Sequence, residues 1–296
     1  MKQKIFDLEL LTPCFCAGAN QAVAEIRAPA IRGQLRWWFR SLGGNAEDER
    51  IVFGGVAGDA AASTLIVRVS LIKKGDTWSP PRIDPNSPES YVWYYASVSG
   101  KAPGSGSSNL GPRWTNQGAT PPYTTFCLQL LQKRPLSEAL QVQLDRAVKC
   151  FLQLGSIGLR ATRGLGAFHC IQTPFDPAIL TEITKQGFKC ELRTDKLSST
   201  EQIASEVGGL LKGTRKAQNM NAKGPSPFGS SSPRQTSAIY FRPVRPTSSD
   251  KTCQLVVFEA PHNRVLGPKS ARNTHVVGQP ISQLVKSEFS PRTRRW

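Results

Sequence analysis

Histidine is scarce in this chain: His169, His262 and His275 are the only three in 296 residues. That leaves few groups for acid–base chemistry near neutral pH. Acidic residues are also few, 21 against 38 lysines and arginines. Asp7 and Glu9 share one side of a predicted strand, but no third ligand at a matching spacing suggests a metal cluster. The seven cysteines, at 14, 16, 127, 150, 170, 190 and 253, form no CxxC and no Cys/His group. They read as reduced, partly buried thiols rather than as zinc ligands or a disulfide framework. No apolar run reaches the length of about 18 residues that a membrane span needs. The N-terminal MKQKIFDLELLTP alternates like a strand and lacks the apolar core and cleavage site of a secretory signal. A phosphate loop of the GK[ST] type is absent. The expectation is a cytoplasmic protein with no cofactor, no metal and no membrane partner.

What is present is positive charge. The formal net charge is +17, and its excess peaks in the last third of the chain. A globular protein this basic is expected to bind a polyanion, nucleic acid first among them. The charge is most organised in the run from Ile31 to Arg40, IRGQLRWWFR. At helical spacing Ile31, Leu35, Trp38, Phe39 and Leu42 make one apolar face, and Arg32, Arg36 and Arg40 a basic stripe on another. Pro29 suits the first turn and Gly43-Gly44 the exit. Arg27 and Arg32 then lie at the helix end whose dipole already favours anions, with nothing acidic close by in sequence after Glu25. Such an end is suited to phosphate. Trp38 reads as core. Trp37, above Gly33 and Ser41, either covers the core edge or stacks on a base, with core favoured.

Strands are predicted over Lys4–Leu11, Ser63–Ile72, Tyr123–Gln132 and Ala167–Gln172, and a second amphipathic helix over Ser137–Leu154 with Ser137 as its cap. Strand, helix, strand, strand, helix, strand is the order of an α+β, ferredoxin-like (RRM-like) domain with an antiparallel sheet. A Pro/Gly/Ser-rich insertion, residues 75–122, interrupts it and carries Tyr91, Trp93, Tyr94 and Tyr95. These aromatics either anchor the insertion or present platforms to bases or a partner, and anchoring is favoured. Beyond Pro174, helices over Asp176–Gln186, Thr200–Gln218 and Ile281–Glu288 and strands over Ala238–Val244 and Gln254–Glu259 suggest a second, divergent ferredoxin-like domain. The boundaries are 1–174 and 175–296, with a solvated basic tail from Arg292 to Trp296.

Directly after the second helix comes GSIGLRATRGLGAF, residues 155–168. Its glycines permit positive φ and close approach, and Arg160 and Arg163 supply cations for a phosphodiester chain. A dinucleotide fingerprint needs the opposite strand-to-helix context.

The pairing of the IRGQLRWWFR helix with the GLRATRGLGAF loop resembles the RAMP superfamily of CRISPR-associated proteins. Within it, the chain is similar to the first-numbered RAMP subunits of type III-B (Cmr) effector complexes. Thr12 to Gly18 resembles the family's turn after the first strand, departing from it at Cys16-Ala17. Phe228 to Arg234 and Ser237 to Pro243 resemble a loop and strand of its second half. The resemblance implies tandem ferredoxin-like domains and a non-catalytic role in antiviral defence. Such a subunit caps the end of a ribonucleoprotein distal to the crRNA 5′ handle, contacting the guide 3′ region, target RNA and other RAMP subunits. It also implies RNA contacts from Arg32, Arg36, Arg160 and Arg163 and the backbone of Gly164 and Gly166. Arg234, Lys269 and Arg272 follow in basic loops of the second half. The alternatives are a metal-independent endoribonuclease that matures guide RNA through His169, and a stand-alone RNA-binding module.

Overall fold

A computed structural model describes residues 1–20, 23–55, 60–79, 81, 87–93, 119–217, 228–231, 234–247, 249–266 and 293–295. Strand β1 (Lys2–Leu10) leads to helix α1 (Ala28–Ser41), helix α2 (Ala46–Phe53) and strand β2 (Leu65–Lys73). After the short α3 (Ser90–Trp93) come β3 (Thr125–Gln132), α4 (Glu138–Leu154) and β4 (Phe168–Cys170). The four strands form one antiparallel sheet in the order β2-β3-β1-β4. Period-two patterning sets its faces. Leu8, Leu10, Phe126, Leu128 and Leu130 are buried, while Ile5 and Ile72, out of phase with them, are exposed. Helices α1 and α4 cover the apolar face. Ser137 caps α4, its hydroxyl accepting from the Leu140 N–H at 3.4 Å, and Pro29 lies in the first turn of α1.

The remaining elements are α5 (Ala178–Thr184), β5 (Lys189–Arg193), α6 (Thr200–Ala217), the two-residue strands β6 (Ser230–Ser231) and β7 (Arg234–Gln235), β8 (Ile239–Val244), β9 (Gln254–Glu259), α7 (His262–Val265) and β10 (Thr293–Arg295). The second sheet is also antiparallel, in the order β10-β5-β9-β8. Counting its strands from β5, it repeats the order of the first sheet: fourth, first, third, second. The protein is a mixed α+β fold built on two antiparallel sheets. The basic tail, expected to be solvated, instead pairs with β5 through Thr293–Arg295, because β5 otherwise presents an open edge of unpaired backbone groups. The helix expected over Ile281–Glu288 lies outside the described residues.

The second sheet is buried on both faces, which explains the nearly unbroken burial of β8 and β9. Tyr240, Val244, Val256 and Phe258 join the core formed by α1, α4 and the first sheet. Ile239, Phe241, Leu255 and Val257 face a second cluster with Ile203, Val207 and Leu211 of α6. Trp38 is core as expected, its ring 5.8 Å from Phe188 and 5.6 Å from Phe258. Trp37 packs at the core edge against Tyr240, 4.7 Å away. Of the insertion's aromatics, Trp93 is an anchor: it is fully buried and stacks on Trp78 at 5.6 Å. Its helix α3 rests on α6 at Gly208, where a side chain would strike the Pro88 carbonyl. Tyr91 is exposed, and Tyr94 and Tyr95 lie outside the described residues.

Candidate nucleic-acid interface

The arginine stripe of α1 forms as its spacing predicts, but it does not stand alone. Helix α2, capped by Asn45 and opening with Glu47, Asp48 and Glu49, folds back against α1. Arg36 Nε donates to Glu49 Oε1 at 2.5 Å, and Arg40 Nη1 donates to both carboxylate oxygens at 3.0 and 3.2 Å. The Glu49 side chain is 6% exposed; those of Arg36 and Arg40 are 39% and 46% exposed. Arg32 donates to the Phe53 carbonyl at the end of α2, a site the helix dipole makes partly negative. The stripe thus has an acidic partner, supplied by the helix that directly follows α1. Residual positive charge faces solvent mainly through Arg36 and Arg40. Glu49 and Arg40 were missed as site residues; Asn45 followed by three acids is the helix-start signal that marks α2. Arg27, the N-cap of α1, is paired with Glu25 at 3.1 Å.

The glycine-rich loop closes on its own chain at three of the residues expected to contact RNA. Gly166 (φ +63°) donates its N–H to the Pro13 carbonyl at 2.9 Å and accepts from the Ile157 N–H at 2.9 Å. Its amide therefore serves the fold rather than an external phosphate. Gly164 (φ +85°) is buried against Ile203, Val207 and Pro243, and its carbonyl accepts from the Thr12 hydroxyl. Arg163 is 7% exposed and donates to the Phe228 carbonyl of the second half. The physical reason is common to all three: the loop is wedged between the turn 12–16 and the second sheet. Arg160, half-buried, holds a left-handed φ of +58° and lies at a turn, its carbonyl accepting from the Arg163 N–H at 2.7 Å. The second half also reaches back through Arg242. This buried side chain donates to the carbonyls of Leu154 and Ala161 at the two ends of the loop's first bend. Burial lowers its pKa to about 9, so it stays charged at neutral pH. Of Arg234 the structure describes only the backbone, and Lys269 and Arg272 lie outside the described residues.

His169 sits on β4 opposite Glu9 and is 4% exposed. Arg245 pairs with Glu9 at 2.6 Å beside it. Burial, then the Arg245 charge, lowers the His169 pKa, with Glu9 opposing. The imidazole is enclosed by the fold, with Arg245 and Glu9 as its charged neighbours. Burial likewise raises the Cys14 and Cys16 thiols above their ordinary range. No helix among the described residues is long and apolar enough to cross a membrane.

Residues 7–169, more than half of the chain, match the RAMP superfamily, and the chain belongs to it. It is similar to the CRISPR system Cmr subunit Cmr1-1 of Pyrococcus furiosus, 22% identical over 199 residues, which cover 63% of this chain and 52% of that protein. Cmr1-2 of the same organism is 34% identical over 89 residues, covering 26% and 46%. The chain spans about half the length of the curated relatives it matches. The crystal structure of apo Cmr1 from Pyrococcus furiosus has a similar fold, with a TM-score of 0.56, 17% identity and coverage of 100% of this chain and 98% of that one. So has a chain in the cryo-EM structure of type III-B Cmr-beta bound to cognate target RNA and AMPPnP, with a TM-score of 0.52, 11% identity and coverage of 96% and 98%.

Proposed function

We propose that the chain is a non-catalytic RNA-binding subunit of a type III-B CRISPR RNA-guided effector complex. It caps the end distal to the crRNA 5′ handle and contacts the guide 3′ region and target RNA. Its partners are crRNA, target RNA and other RAMP subunits, in the cytoplasm. The observation that carries this reading is the RAMP match over residues 7–169 in a chain of net charge +17. The shared strand order of the two sheets supports tandem ferredoxin-like domains over 1–174 and 175–296. The RNA-facing cations are Arg36 and Arg40 of the stripe, Arg32 at its start, and Arg160 of the loop. Arg234, Lys269 and Arg272 extend them. Arg163, Gly164 and Gly166 shape the loop from inside.

The test is purification of the protein from its native cells, with sequencing of bound RNA and identification of co-purifying proteins. Repeat-derived guides together with other RAMP subunits are the expected outcome. Their absence overturns the reading. In the purified protein, Arg36→Ala and Arg160→Ala should each weaken RNA binding and lower the slope of log K against log salt by about 1. Cleavage of repeat RNA in EDTA that is lost in His169→Ala would favour the endoribonuclease instead.

A further inference from the structure

Among the described residues, two that are not glycine hold a left-handed backbone: Arg160 at φ +58° and Tyr123 at φ +60°. For a bulky L-residue this is a true outlier, and such outliers cluster at active sites, ligand clamps and switch regions. Both flank the same feature, the turn after β1. On one side of it the loop carrying Arg160 bonds in, the Leu159 N–H donating to the Phe15 carbonyl at 2.8 Å. On the other side the Tyr123 N–H donates to the Leu10 carbonyl at 2.7 Å, and Thr120 exchanges two 2.9 Å bonds with Cys14. The strained backbone of Tyr123 is thus fixed from both directions, yet its side chain is out in solvent: the residue is 55% exposed. Beside it runs the end of β2. Lys73 pairs with Thr125 across a bulge, and the Gly75 N–H donates to the Thr124 hydroxyl at 3.0 Å. Lys73 and Lys74 are both exposed, with Asp76 the single acid of that stretch.

We propose that Tyr123 is a base-stacking residue for an unpaired nucleotide of single-stranded RNA, with Lys73 and Lys74 holding the adjoining phosphates. The inference rests on the RNA-binding function proposed above and extends its surface from the arginine stripe and Arg160 to the far side of the turn 12–16. An exposed aromatic ring beside lysines, set on a rigid strand end, is the combination with which proteins hold single strands without reading sequence. Stacking tolerates any base, so Tyr123 adds affinity for unpaired RNA and no sequence preference.

The experiment measures binding of a fluorescent single-stranded RNA by the full chain, at several salt concentrations, alongside thermal unfolding. Tyr123→Ala should weaken binding about tenfold or more. The salt slope should stay that of the wild type, since no phosphate contact is lost. Tyr123→Phe keeps the ring and should bind as the wild type. Tyr123→Gly relieves the left-handed strain, so it should unfold at a higher temperature and still bind as weakly as Tyr123→Ala. Photo-crosslinking to bromouridine-substituted RNA should mark the peptide that contains Tyr123. A wild-type chain that binds RNA, with Tyr123→Ala and Tyr123→Gly equal to it, overturns this proposal alone. Loss of co-purifying protein subunits with unchanged RNA affinity also overturns it, assigning Tyr123, with its exposed neighbours Leu71 and Ile72, to a protein contact. A wild-type chain that binds no RNA overturns both readings.

Discussion

Replacing Glu49 by glutamine separates two roles that its carboxylate combines. The side chain is buried and accepts charge-assisted hydrogen bonds from Arg36 and Arg40. Losing such bonds from a buried group costs about 1–3 kcal/mol. Both guanidinium partners remain more than a third exposed and screened, which places the loss at the low end of that range. Glu49→Gln should therefore lower the urea midpoint with an unchanged m value. The same change leaves the stripe with one more net positive charge, so RNA affinity at low salt should rise. A variant that is less stable but binds more weakly would show instead that Glu49 orients the arginines for RNA. His169 yields a second residue-scale prediction. Its pKa is lowered in the folded state by burial, then by Arg245, so the unfolded chain binds the extra proton as pH falls. Stability should be level above the ordinary histidine range near 6.5 and decline as pH drops below it. Melting temperatures between pH 8 and 5 test this. His169→Gln should flatten the part of the decline that His169 causes.

At the scale of elements, the glycines of α1 and of the loop are opposites. Gly33 lies inside a helix, and a methyl group there would meet nothing within 4 Å. Gly33→Ala should stabilise by about 0.5–1 kcal/mol. At Gly166 the φ is +63°, and a Cβ would lie 1.8 Å from the Ile157 carbonyl oxygen. Gly166→Ala should cost about 4 kcal/mol or more, or abolish folding. Both are read by urea denaturation; a tolerated Gly166→Ala would mean that the loop is free to move. This contrast marks what could be read in advance. Helices α1 and α4 and the four strands of the first sheet announce themselves through their own periodicity, and the structure matches them to within a few residues. Helix α2 is eight residues with a short apolar face, and its start signal alone went unread. Strand β5 hides because its five residues carry only two apolar side chains, Cys190 and Leu192, too few to mark a period. The loop's glycines were legible as glycines needing positive φ. Whether that freedom serves a ligand or the chain itself depends on Pro13 and Ile157 reaching Gly166, a contact of the folded chain that local patterning does not display.

The whole molecule explains why neither half is expected to stand alone. Trp38 belongs to the first half by sequence, yet it packs on Phe188 and Phe258 of the second, and the larger hydrophobic cluster runs through both. Among the described residues, four arginines cross the boundary: Arg163 to the Phe228 carbonyl, Arg242 to Leu154 and Ala161, Arg245 to Glu9, and Arg264 to the Ser41 carbonyl. Separating the halves would expose the aromatic face of α1 to water and break these hydrogen bonds at the same time. Unfolding in urea should then be one transition, superimposable by circular dichroism and tryptophan fluorescence. Trp38→Ala should lower its free energy by about 3–5 kcal/mol without splitting it. Two resolved transitions would show that the halves fold independently. The distinction bears on the proposed RNA binding because Arg242 of the second half clamps the bend that leads to Arg160, while Trp37 and Trp38 dock the arginine helix onto the same sheet. If the halves unfold together, the stripe and the loop are held at a fixed separation. Stripe and loop variants should then lose RNA affinity in proportion to the phosphates each contacts, and a mutation that loosens the shared core should weaken both contacts at once.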